Sequence, residues 1–150
     1  MSRTAIPAPL RTAVRERAGN RCEYWRMPER GAFFTHEPDH VIASQHGGQT
    51  ESENLALACL QCNRFKGPNI ASVDPETKRV VPLFNPRTDQ WSEHFRAEGG
   101  RIIPLTPVAR ATARERPEPG GLDRPDAVLD GGARDGSRVQ PRALVAEVAR

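Results

Sequence analysis

The feature that most constrains this chain is the run Thr35–Lys66, THEPDHVIASQHGGQTESENLALACLQCNRFK. It ends in a Cys59-x-x-Cys62 pair directly followed by Asn63, and it holds an Asp39-His40 pair and, fourteen residues after His40, Asn54. Two cysteines at that spacing share one tight turn and point at one centre, the usual first half of a metal site. A carboxylate, an imidazole and two amides that converge in space can hold one divalent cation and activate one water, the equipment for hydrolysing a phosphodiester. Convergence demands a compact ββα unit. A strand–turn–strand must carry Asp39 and His40, and a helix starting near the cysteines must project Asn63 back toward them.

The rest of the composition narrows the setting. With 150 residues the chain suits one domain. Eight aromatics, fourteen Pro and twelve Gly predict a small core with much irregular chain. Three cysteines, an odd number, argue against a disulfide framework and for metal binding in a reducing compartment. No apolar run approaches the roughly 18 residues that span a membrane. The start MSRTAIPAPL lacks the apolar core of a secretory signal, so the expected location is cytoplasmic, with no membrane partner. A net charge of +3, made by 20 Arg against 2 Lys, suits a phosphate-rich partner.

Read in order, Leu10, Val14 and Ala18 recur at helical spacing and predict a helix that Gly19-Asn20 ends. Arg15 and Arg17 are expected on its solvated face. Gly31 to Ile42 reads as extended, turning at Gly31 and near Pro38, with Phe33 and Phe34 as apolar bulk. Gly47-Gly48 marks a turn. Further on, RVVPLFNPR and RIIPLT read as short strands, WSEHF as a helical turn facing the core, and Pro107 opens a helix. His36 and His46 are expected to be ordinary loop residues, His94 surface or core packing, and Glu23 and Glu37 solvated. From Arg116 onward the chain holds six Arg, six acidic residues, four Pro and five Gly without an aromatic, and predicts disorder over 116–140 and a marginal helix over 142–149.

Asp39-His40, Asn54 and Asn63 with flanking cysteines resemble the HNH nuclease family. The Gly-Gly after the Asp-His pair and NRFK after Cys62 are similar too. So are RAGNRCEY before the motif and DPETKRVVPLFNPR, WSEHF and RIIPLTPVARAT after it, so the resemblance spans residues 10–114. It implies an α+β fold, a small ββα-metal core with short flanking helices and strands, as one domain over 10–114 followed by a disordered tail over 115–150. It implies a metal-dependent DNA endonuclease in which His40 is the general base, a task suited to imidazole. Asn54 would hold His40 in orientation, and Asp39 and Asn63 would ligate Mg²⁺ (or Mn²⁺) through oxygen. Arg64 and Lys66 would contact phosphate. DNA is the implied partner, and no protein partner is predicted.

The cysteines depart from the family pattern, which has two Cys-x-x-Cys pairs around a structural Zn²⁺. Here Cys22, Cys59 and Cys62 remain, and Trp25 stands where the fourth sulfur is expected. Three outcomes are open: zinc on three thiolates completed by water or a nearby His, a weakened site, or an apolar cluster with Trp25 filling the gap. From the unpaired Cys22, Trp25→Cys is expected to raise stability in a zinc-dependent way. Two other functions compete with the nuclease: a catalytically impaired HNH-like module that binds nucleic acid without cutting, and a small zinc-stabilised interaction domain.

Overall fold

The computed structural model describes residues 5–117, so the expectations for residues 118–150 lie outside the described residues. Helix α1 (Ala8–Ala18) begins two residues before the predicted Leu10, because a proline is tolerated in a first turn. Gly19 ends it in the left-handed conformation (φ 60°), and the Gly19 and Asn20 N–H groups turn back to the carbonyls of Glu16 and Arg15. Strands β1 (Glu37–His40) and β2 (Leu55–Ala58) then pair antiparallel, from Glu37 opposite Ala58 to His40 opposite Leu55. Pro38 is not at a turn, as its sequence context suggested. It lies buried in β1 opposite Leu57, where a two-stranded sheet is all edge and a missing N–H can face outward.

Alternation along β2 organises the core. Leu55 and Leu57 face α1 and pack on Val14, with Leu10 and Ala18 beside them. Ala56 and Ala58 face the other way, into a cluster with Cys22, Cys59, Cys62 and Trp25. All four β2 residues are buried, so two faces of one short strand serve two cores. Cys59 then stands at the N-terminal boundary of α2 (Leu60–Lys66), which packs on both strands. The expected ββα unit is present, in an α+β chain.

The remaining elements cover the cysteine side. Hairpin β3 (Ala71–Val73) and β4 (Val80–Pro82) is followed by α3 (Trp91–His94), hairpin β5 (Phe95–Glu98) and β6 (Arg101–Pro104), and α4 (Pro107–Glu115). Phe84 and Phe95 meet edge-on at 5.3 Å, and Phe95 meets Trp25 at 5.7 Å. Thr106 caps α4 by accepting from the Ala109 N–H at 3.1 Å. His94, as expected, packs, with its ring against Phe84 and Nδ1 at 2.6 Å from the Thr106 hydroxyl.

Asp74 ties the first hairpin to α4. It is buried and takes two bonds from Arg110, at 2.8 and 2.9 Å, besides that of the Thr77 hydroxyl at 2.7 Å. The Arg110 guanidinium, aided by Thr77 and opposed by burial, holds the Asp74 carboxyl well below the usual range. A depressed carboxyl contributes stability that is present above its unfolded pKa near 4 and lost as pH falls through the folded value. Asp74→Asn is therefore expected to lower Tm at pH 7 and to flatten the acid side of the Tm–pH curve. Identical curves for the two proteins would rule this out.

Several surface expectations are corrected. Phe33 is fully exposed and Phe34 62% exposed, so neither supplies core bulk. Arg15 is only partly exposed and binds Glu29 at 2.7 Å and the His36 carbonyl. Arg17 is exposed, as expected, and also donates to the Ser52 carbonyl at 2.9 Å and the Leu55 carbonyl at 2.6 Å, stitching α1 to the ββ turn. Arg116 is not loose tail but 2% exposed, against the core.

Candidate metal and nucleic-acid site

Asp39 and His40 close β1, and α2, which carries Asn63, lies across both strands. Asp39 stands opposite Ala56 and so shares the face that holds the cysteines. His40 stands opposite Leu55, and its Nε2 lies 2.9 Å from the Thr50 hydroxyl. Thr50 was absent from the sequence reading, since nothing in its spacing marks it. Arg64 is exposed on α2 and Lys66 is its last residue.

Asn54 is buried at the end of the turn between the strands. Its Oδ1 accepts from the Ile42 N–H at 2.9 Å, and its Nδ2 donates to the carbonyls of Ile42 and Gln49, each at 2.9 Å. One amide side chain thereby closes the loop that leaves His40 and returns to β2. Gly48 lies inside that closure: an added Cβ would stand 1.8 Å from the Ile42 oxygen and 2.8 Å from Asn54 Nδ2. Gly48→Ala must open the loop, and is expected to cost about 2 kcal/mol or more by overpacking. An unchanged denaturation midpoint would contradict this. His46, in the same loop, is exposed, the ordinary loop residue the sequence suggested.

Three sulfurs form the second centre. The Sγ atoms of Cys22, Cys59 and Cys62 all lie within 4.8 Å of one another, and all three residues are buried. Cys22 comes from the loop after α1, Cys59 from the end of β2 and Cys62 from α2. Burial pushes the Cys22 thiol up, but hydrogen bonds from Cys59 and Cys62 outweigh it and hold Cys22 well below its usual value. Cys59 is pushed up to about 11 by its bond with Cys22. Burial, followed by the Cys22 interaction, raises Cys62.

The sulfurs fit a thiophilic ion. Cys22 Sγ and Cys62 Sγ are 3.7 Å apart. The edge of a tetrahedron with Zn–S near 2.3 Å is about 3.8 Å. Among the described residues no histidine or carboxylate joins the three sulfurs. His36 is no ordinary loop residue. It is fully buried, with Nε2 at 2.9 Å from the Met27 carbonyl that also accepts from the Cys22 N–H, so it braces the Cys22 loop from behind. Glu23 is likewise not solvated. It accepts from the Leu57 N–H at 2.8 Å and pairs with Arg87, fastening the same loop to β2. Glu37 is half-exposed and paired with Arg11 at 2.5 Å.

Trp25 is 2% exposed and belongs to the aromatic core, which changes the expectation for Trp25→Cys. Truncating a buried Trp removes about 3–5 kcal/mol of packing. The zinc-free variant is expected to be less stable than the wild type by roughly 3 kcal/mol, so a fourth sulfur must first offset that loss. Equal zinc-free stabilities in denaturant would show that Trp25 carries no packing energy.

A strand pair and helix that carry a carboxylate, an imidazole and amides beside a cysteine cluster define a metal-type ββα finger. Residues 22–69 match the family model described as HNH endonuclease. That segment, about a third of the chain, is an HNH domain. Nothing among curated proteins or solved structures matches the chain. HNH domains belong to nucleases and nucleic-acid-binding proteins, and HNH nucleases use divalent metals. No helix of the described residues is long and apolar enough to cross a membrane.

Proposed function

We propose that the chain is a metal-dependent DNA endonuclease of the cytoplasm whose working unit is the HNH segment with its flanking elements. The observation that carries this reading is the closure of the Val41–Asn54 loop by Asn54, with His40 at its mouth on the Thr50 hydroxyl. His40 takes a proton from the attacking water. The tautomer in which Nε2–H donates to Thr50 Oγ1 carries the ring's lone pair on Nδ1. Thr50 fixes the tilt of the ring. Asn54 holds the backbone that follows it, so the base keeps one orientation.

Asp39 and Asn63 offer a carboxylate and an amide oxygen, the donors a hard cation such as Mg²⁺ or Mn²⁺ takes. When bound, that ion supplies positive charge at the scissile phosphate. Arg64 and Lys66, on the same helix as Asn63, contact neighbouring phosphates. Cys22, Cys59 and Cys62 hold Zn²⁺ and fasten the loop after α1 to α2.

The test is cleavage of supercoiled plasmid by purified protein with Mg²⁺ or Mn²⁺. Cutting that EDTA abolishes is the expected result. Salt-sensitive DNA binding without cutting would establish the impaired module instead, and neither binding nor cutting the interaction domain.

A further inference from the structure

Phe33 is fully exposed and Phe34 62% exposed, in the connection between α1 and β1. Burying either ring would stabilise the fold, so two adjacent exposed rings mark a surface with another use. The loop that presents them is braced on both sides by Glu29. The Glu29 carbonyl accepts from the Ala32 N–H at 3.0 Å, and its Oε2 accepts from the His36 N–H at 2.6 Å and from Arg15 at 2.7 Å. The Glu29 N–H donates in turn to the Asn20 carbonyl at 2.9 Å. Phe33 and Phe34 thus line a cleft of about 440 Å³ together with Asn20 and Arg30.

Electrostatics choose the occupant. Residues 20–35 carry three arginines and two glutamates. Both glutamates are paired with arginines outside that segment, Glu23 with Arg87 and Glu29 with Arg15. Arg30 is exposed and adds positive charge beside the two rings. A twofold contact between copies centred here would bring like-charged Arg30 side chains together. A polynucleotide answers both features, with bases that stack on rings and phosphates that meet a guanidinium. We propose that Phe33 and Phe34, with Arg30 and Asn20, form a stacking subsite for unpaired nucleotides of the substrate strand. This rests on the reading of the chain as a nuclease. Bases inside a duplex keep their faces in the stack, so the subsite selects single-stranded or unwound substrate. About 10 Å of strand separates Glu37, at the start of β1, from His40, so a short run of nucleic-acid backbone reaches both places.

The experiment measures binding of the full chain to a labelled single strand of ~12 nucleotides and to its duplex. Fluorescence anisotropy is read without added Mg²⁺ or Mn²⁺, so that no strand is cut. Phe33→Leu/Phe34→Leu keeps the apolar surface and removes the ring faces, while Phe33→Tyr/Phe34→Tyr keeps the faces. The leucine protein is expected to lose ~10- to 100-fold in single-strand affinity, the scale of lost base stacking, with duplex affinity and Tm unchanged. The tyrosine protein is expected to bind single strands like wild type. Arg30→Ala is expected to reduce the slope of log affinity against log salt by about 0.7, one phosphate on a single strand.

Leucine variants that hold single strands as tightly as wild type would overturn the subsite alone, as would a wild type that binds duplex and not single strands. Equal losses on both substrates with a lowered Tm would make the rings structural instead. Wild-type self-association that Phe33→Ser abolishes would make them a contact between copies. An unchanged salt slope would remove Arg30 from the subsite. Wild-type protein that binds neither substrate would overturn the nuclease reading and the subsite with it.

Discussion

Replacing His40 by alanine is expected to abolish plasmid cleavage, with a rate loss of at least ~10²–10⁴-fold, the contribution of a positioned general base. The fold should survive. His40 is half-exposed at the end of a strand, and the hydrogen bond removed joins it to a hydroxyl that water can satisfy. Its backbone pairing with β2 needs no imidazole. Activity and stability must therefore separate: Tm within a few degrees of wild type, cleavage at background. A variant that cuts at near wild-type rate would remove His40 from the mechanism. One that loses cleavage and Tm together would make it a structural residue.

The second large effect is metal removal. Stripping zinc with a strong chelator is expected to lower Tm by about 10 °C or more, since structural zinc is worth many kcal/mol and each kcal/mol moves Tm of a domain this size by several degrees. The reason lies in the three sources of sulfur. Cys22, Cys59 and Cys62 join a loop, a strand end and a helix start that are also held together through Glu23, His36 and an aromatic cluster. Cys62→Ser is expected to reproduce the chelator effect, with zinc content falling from one equivalent per chain to none. Purified wild type without zinc, and indifferent to chelator, would turn the centre into an apolar thiol cluster around Trp25.

The cysteine cluster and the strand that carries Asp39 and His40 both lie against β2. Ala56 and Ala58 of β2 face the cysteine cluster while β2 pairs with the strand that carries Asp39 and His40. Small side chains at those positions let α2 approach closely, and α2 brings both Cys62 and Asn63. Loosening the sulfur centre is thus expected to reach the proposed catalytic residues through one short helix.

Much of the ββα unit was legible because its signals are local. Gly19 ends a helix, Pro107 opens one, and Cys-x-x-Cys before a helix start places Asn63, all through backbone preferences that act within a turn. The roles of buried polar side chains were not legible. Glu23, His36 and Arg15 have the composition of a solvated surface, and each became structural through a partner elsewhere in the chain, such as Leu57 for Glu23 or Glu29 for Arg15. Phe33 and Phe34 erred the other way, since apolar type alone does not say which residues an α1–β1 connection leaves outside.

By itself the sequence determined the fold class, the order of the core elements and the residue types available for metal and phosphate. Spacing along the chain carries that information. Only the tertiary structure decided that the three sulfurs meet, that Thr50 reaches His40, and that Arg116 is buried on Tyr24. Those contacts join residues whose separation in sequence has no period. They form because burial of β2 on both faces draws distant segments into one place, where each buried charge and amide must find a partner.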